Sequence, residues 1–320
     1  MMGCLIPFAL TQTYSGTLRE TGETIVPMKA GIVAFFANLL LDYSLIFGKF
    51  GFPELGVRGA AIATVIARIA EVTVVMVWAH SHTAEKPFVR GVYRSFHVPM
   101  DLVKEVLKKG TPLLLNETLW AGGMAMLVRC YSSRGLVVVA GINIATILSN
   151  MFSIVYIAMG SAIGIILGQL LGAGKMEEAV DTDRKLIFFS VASCLGVAIL
   201  MIIVSSFFPQ IYNTSDDVKY IATWIIRVLA VCMPLNAFMN STYFTLRSGG
   251  KTIITFLFDS FYIWVVDIPA AILLINYTDW NVILVYFLVQ MMEIVKCIIG
   301  YVLVKRGVWL NNMTIKATNG

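Results

Sequence analysis

Apolar residues run through this chain in blocks and not in alternation. Nine blocks stand out, at 1–18, 27–48, 58–79, 106–130, 136–168, 186–209, 219–245, 252–275 and 282–304. Each is about as long as the 20 or so residues that carry a helix across the hydrocarbon core of a bilayer. The blocks are too long and continuous for the alternating segments of a barrel, so the pattern predicts nine membrane-spanning helices. Turn chemistry separates them. "KFGFPELG" at 49–56 is a turn-rich loop and "LGAGK" at 171–175 a glycine stop. "GTP" at 110–112 reads as Thr111 capping a helix that opens on Pro112.

The longest polar stretch, "HSHTAEKPFVRGVYRSFHVPMDLVKE", starts at His80 and divides the chain. Residues 1–80 form a partial N-terminal lobe of about three helices, 81–105 a cytoplasmic linker, 106–306 a six-helix C-terminal lobe and 307–320 a cytoplasmic tail. Asp101 to Lys109 reads as a basic interfacial helix leading into the next span. If the first span ends in the cytoplasm, alternation places sixteen lysines and arginines inside and five outside. That bias fixes the orientation and puts the C-terminus in the cytoplasm.

Composition agrees with the pattern: 58% of residues are hydrophobic and 13% charged, against roughly half and a quarter in a soluble domain. The net charge of +5 is spent on membrane topology, so no nucleic-acid partner is expected. Cys4, Cys130, Cys194, Cys232 and Cys297 are scattered and read as packing residues. His80, His82 and His97 share the polar stretch and read as a solvated loop, not a metal site. The sequence offers no nucleophile–base set, so an enzyme is not expected.

A phrase occurs twice. "TLRETGETI" at 17–25 and "TLRSGGKTI" at 245–253 agree at six of nine positions, 228 residues apart. Gly22 and Gly250 suit a tight turn, and Thr24 and Thr252 suit caps of the helices that follow. The echo continues at spacing 225: Asp42 answers Asp267, and Arg68 with Glu71 answers Glu293 with Lys296, signs exchanged. Parallel internal repeats are a transporter architecture. The second repeat holds six spans and the first three, so three further helices are expected ahead of Met1, and the 320 residues alone are not expected to transport.

Three groups of phrases resemble the MATE family of multidrug and toxic compound extrusion antiporters. They are "TLRETGETIVPM" with "LLLDYSLIFGKFGFPELGVRGAAIATVIAR", "GTPLLLNETLWAGG" with "GSAIGIILGQLLGAGKMEEA", and "TLRSGGKTIITFLFDSFYIWVVDIP" with "VQMMEIVK". The resemblance covers nearly the whole chain. It implies an all-α integral membrane fold of two six-helix lobes around a V-shaped cavity, here with the N-terminal lobe incomplete.

Ionisable residues inside a membrane are functional candidates by default. Glu117 falls about 9 Å below the cytoplasmic end of its helix, Asp259 about 10 Å and Asn236 about 16 Å, at 1.5 Å per residue. The three are expected to line one pocket in the inner half of the C-terminal lobe. The resemblance gives Glu117 the role of the family's acidic residue in cation coupling and substrate binding. Its carboxylate can exchange a proton or hold Na⁺, so it is also the candidate metal ligand. Trp120 shares its helix face and can stack on an organic cation.

Some family members carry an aspartate where this chain has Asn236, which cannot carry a proton. Asn143 lies opposite a family cation-site position; with Asn150 and Gln169 it otherwise reads as an interhelical hydrogen-bonder. Arg227 and Lys296 are possible salt-bridge partners of Asp259. Arg68 with Glu71 and Glu293 with Lys296 read as self-neutralising pairs. Asp42 and Asp267 are expected near the outer interface.

The resemblance therefore implies a secondary-active antiporter of the plasma membrane. It would export small organic cations in exchange for Na⁺ or H⁺ by alternating access, with no cofactor beyond the coupling ion. The alternatives are a lipid-linked saccharide flippase of the same superfamily, disfavoured by the few intramembrane arginines and lysines, and a non-transporting remnant or partner subunit.

Overall fold

The computed structural model describes residues 4–83, 87–93 and 98–311; His97 and most of the tail lie outside them. Nine helices occupy the nine apolar blocks: α1 (Leu5–Glu20), α2 (Ile25–Phe47), α3 (Val57–Ser81), α4 (Met100–Ser132), α5 (Leu136–Gly172), α6 (Met176–Ser205), α7 (Asp216–Ser248), α8 (Thr252–Tyr277) and α9 (Val282–Lys305). No strand occurs among the described residues. Seven of the nine are long and apolar enough to cross a membrane. The exceptions are α1, at 16 residues, and α4, whose first turns carry Asp101, Lys104, Glu105 and Lys108.

The chain divides into two compact units, Met1–Val98 and Pro99–Gly320. In the first, Leu18, Val26, Ala30 and Val75 form a small core. Gly59, at the start of α3, lies so close to α2 that a Cβ there would meet the Leu45 carbonyl oxygen at 2.6 Å. Tyr14 and Tyr93 share a 2.6 Å hydrogen bond. His80 and His82 depart from the loop expected of them: His80 lies within α3 and stacks on Tyr93, and His82, at the helix end, stacks on Trp78 at 4.3 Å. Aromatic neighbours fix both rings.

The second unit is built around α7, whose buried residues include Ile225, Ile226, Met233 and Ala237. Small residues bring α5 against it. A Cβ on Gly160 would meet Phe244 at 2.6 Å, and one on Gly141 would meet Ile221 at 2.7 Å. This is how helices associate where lipid removes the hydrophobic drive between them. Large apolar side chains cover the outside instead: Phe188, Ile199 and Phe207 are each more than half exposed, as suits a lipid-facing surface.

Several local expectations are overturned. No helix starts at Thr111; α4 runs unbroken through Gly110 and Pro112. An interior proline removes one ladder hydrogen bond, a loss that membrane helices tolerate when neighbours re-satisfy the freed groups. Thr24 sits at the N-cap of α2 without a side-chain cap bond, while Thr252 is already inside α8, behind Lys251. Both repeat glycines do turn the chain with positive φ, +87° at Gly22 and +72° at Gly250. Trp309, in the tail by sequence, is 1% exposed, against Gly249.

The close approach at Gly160 gives a test of the α5–α7 packing. Gly160→Val is expected to destabilise the protein by about 2 kcal/mol through overpacking, read as a lower thermal midpoint in detergent, whereas a change at exposed Gly168, where a Cβ meets nothing within 4 Å, leaves the midpoint in place.

Candidate functional site

One group of buried polar side chains in the second unit meets where α4, α7, α8 and α9 come together; another, Asp183 on α6 accepting from Thr245 on α7 at 2.7 Å, lies apart from it. Helix α8 prepares the meeting: it is π-helical over Leu257–Phe261 and Ile263–Asp267. Such wide turns are rare and concentrate at functional sites. From the first of them Asp259 reaches two neighbours. One carboxylate oxygen accepts from Lys296 Nζ on α9 at 3.1 Å, and the other from Asn116 Nδ2 on α4 at 3.2 Å.

Asn116 is the hub. It is 1% exposed, and its amide nitrogen also lies 3.4 Å from the Tyr243 hydroxyl on α7. Its side-chain oxygen lies 2.7 Å from Ser260 Oγ, which donates there and to the Asn116 carbonyl at 2.6 Å. Trp264 closes the α4–α8 contact by donating its indole N–H to the Leu119 carbonyl at 2.9 Å.

Lys296 has a second carboxylate, Glu293 Oε2 at 3.8 Å on its own helix. Arg227 is no partner of Asp259: it donates to Ser205 and Ser206 and lies over the Trp224 ring. Asp267 is 3% exposed, and its Oδ1 has no hydrogen-bond partner among the described residues. Asp42, its counterpart in the first unit, likewise has an unpartnered buried Oδ1.

The residues singled out by sequence are distributed differently from the expected shared pocket. Asp259 is engaged in the network. Glu117, one residue beyond the hub, has an exposed side chain and no hydrogen bond to the network among the described residues, and Trp120 is 43% exposed. Asn236 is half-buried on α7 outside the network, and Asn143 and Asn150 are exposed on α5. A groove of about 440 Å³ between α4 and α8, lined by Thr111, Pro112, Leu115, Ile253 and Phe256, includes none of them.

Sequence reasoning missed Asn116, Ser260 and Tyr243. A usable signal existed for the first two: Asn116 adjoins Glu117, Ser260 adjoins Asp259, and small polar side chains in an apolar helix seek partners on other helices.

Comparison with known proteins identifies the lineage. The MatE family model matches residues 112–273, half of the chain, from the proline within α4 to the start of the last turns of α8. The chain belongs to the MatE family. It is 25% identical over 273 residues to the probable multidrug resistance protein NorM of Thermotoga maritima, covering 84% of this chain and 57% of that protein. It is 26% identical over 269 residues to the probable multidrug resistance protein YoeA of Bacillus subtilis, covering 84% and 58%.

Among solved structures, an outward-facing multidrug resistance MATE family transporter of the MOP superfamily superposes with a TM-score of 0.80 at 20% identity, over 93% of this chain and 66% of that one. A MOP superfamily transporter from Pyrococcus furiosus does so with 0.83 at 19% identity. The chain thus shares the fold of MatE proteins and spans somewhat over half the length of the curated relatives it matches.

The division between the adjacent residues of α4 can be measured. Asn116→Ala takes the amide donor from Asp259 Oδ2 and leaves Ser260 only the backbone carbonyl of residue 116, and is expected to cost about 2 kcal/mol, seen as a lower thermal midpoint in detergent. Glu117→Gln, at an exposed position, is expected to leave that midpoint within about 0.5 kcal/mol of wild type.

Proposed function

We propose that this MatE chain is part of a secondary-active multidrug efflux antiporter of the plasma membrane, exporting small organic cations in exchange for Na⁺ or H⁺ by alternating access. The observation that carries the reading is the pair Glu117 and Trp120. An exposed carboxylate and an exposed indole sit three residues apart on one face of a membrane helix. A charged group in such a helix is costly unless it serves a pathway or finds a partner, and Glu117 is not drawn into the buried network beside it. A carboxylate with an aromatic face is the pair that attracts a lipophilic cation, by charge and by the ring quadrupole.

In this reading Glu117 holds either the coupling ion or the substrate, so the two compete, and Trp120 stacks on the substrate. Asn143 and Asn236 contribute neutral oxygens able to bind Na⁺ or hydrogen-bond a ligand. The C-terminus faces the cytoplasm, following the distribution of lysine and arginine. The names of the relatives, multidrug resistance proteins, support the substrate class. Arg227 and Lys296 are both engaged within the second unit, which leaves a pyrophosphate-linked saccharide little to bind.

Binding of tetraphenylphosphonium to the purified chain tests the proposal. Glu117→Gln is expected to weaken it about tenfold or more, a loss of about 1.4 kcal/mol, with Trp120→Ala weakening it less. Wild-type binding is expected to fall as Na⁺ or H⁺ concentration rises. Unchanged affinity in Glu117→Gln would remove the basis for the assignment.

A further inference from the structure

Lys296 is a buried cation ringed by carboxylates and aromatic faces. Its side chain is 7% exposed. Around the ammonium stand Asp259 Oδ1 at 3.1 Å, Glu293 Oε2 at 3.8 Å, the Phe258 ring with its centroid at 5.5 Å and the Tyr262 ring at 5.9 Å. An ammonium has three donors and no acceptor. Two carboxylates and two aromatic faces are what a protein uses to recognise an alkylammonium ligand.

The shell is itself held in place. Asn116 fixes the far oxygen of Asp259, the Tyr262 hydroxyl donates to the Met292 carbonyl at 2.7 Å, and Gly300, one turn beyond Lys296, makes room for Phe258, which a Cβ there would meet at 3.0 Å. A cage whose walls are fixed by groups other than the cation they surround is a preorganised binding site.

We propose that the second unit contains a site for a monoalkylammonium ion, and that the chain fills it with its own tethered ligand, the side chain of Lys296. While the lysine is in place, Asp259 serves as its counter-ion and is not open to Na⁺ or to an exported cation; the intramolecular ammonium takes the position an external cation would need. No such cage occurs among the described residues of the first unit. The repeat counterpart of Lys296 is Glu71, paired with Arg68 of its own helix at 2.6 Å. The counterpart of Asp259 is Ala34 or Gly31, depending on which side of the three-residue gap it is aligned, and neither carries a charge. The cage therefore belongs to one repeat, and it ties α8 to α9. This assignment stands on the geometry of the second unit alone and does not depend on the transport reading.

Chemical rescue tests it. Lys296→Ala removes the atoms of n-propylammonium, so that ion is the probe, with 1-propanol and NaCl as controls. In detergent, Lys296→Ala is expected to lower the thermal midpoint of the 320-residue chain by roughly 10 °C. n-Propylammonium should restore much of the loss saturably, 1-propanol should not, and wild type should not respond. Adding Asp259→Asn should abolish the rescue.

A folded Lys296→Ala variant that ignores n-propylammonium, or one rescued equally well with Asp259→Asn present, overturns the proposal. Should Lys296→Ala yield no folded protein, Lys296→Met is compared with Lys296→Met/Asp259→Asn. The proposal requires the double variant to be the more stable, because it no longer buries an uncompensated carboxylate; a double variant no more stable than Lys296→Met refutes it.

Discussion

A buried ammonium and a half-buried carboxylate in an apolar lobe must find each other, and four helices of the second unit meet at the place where they do. Removing either charge from water costs several kcal/mol, which only close pairing and further hydrogen bonds offset. Asp259 and Lys296 come from different helices, so meeting fixes the rotation of α8 and α9 about their axes. Asn116 extends the constraint to α4 and, through Tyr243, to α7. Apolar packing cannot impose this by itself. In lipid, one Leu-rich face is nearly as good as another, and directional polar contacts are what distinguish one helix register from its neighbours.

The two repeats use the same positions for different ends. In the first unit Arg68 takes its counter-ion, Glu71, from its own helix and lies over the Phe8 ring of α1 at 5.7 Å, so the ion pair itself stays within α3. In the second, the exchanged pair Glu293 and Lys296 is joined by Asp259, which has no acidic counterpart, and a local pair becomes a bridge. The aspartates at 42 and 267 retain the likeness, each with a buried oxygen that finds no partner among the described residues. The two units share a sequence frame, and Asp259 on α8 is a carboxylate that the first repeat lacks at the matching positions.

Helix α4 shows how narrow the boundary is between structure and candidate function. Asn116 and Glu117 are adjacent, and a helix turns about 100° between them. That rotation separates a buried hub from an exposed acid. The π-helical turns of α8 do the complementary work on the other side of the contact, where Asp259 and Ser260, also adjacent, serve α9 and α4 together. Ligand binding at the exposed face of α4 would thus act on a helix whose neighbouring face is anchored.

Much of this was legible in the chain itself. Apolar blocks of spanning length can only be helices, because no other open structure satisfies the backbone in lipid; the nine blocks became nine helices, and Gly22 and Gly250 turn the chain as their repeated phrase implies. The phrases around Pro112, Glu117 and "TLRSGGKTI" pointed to the MatE family. What the sequence left open was facing. A helix apolar on nearly every side carries too little asymmetry for its period to say which residues look inward, so Glu117 was expected beside Asp259 where Asn116 stands, and Arg227 looked as good a partner as Lys296. Proline at 112 looked like a beginning because the sequence does not contain the packing that lets α4 continue through it. Those choices were made by the tertiary structure alone, since a buried polar group is defined by the partner that reaches it, and the partners here lie on helices up to 145 residues apart in the chain.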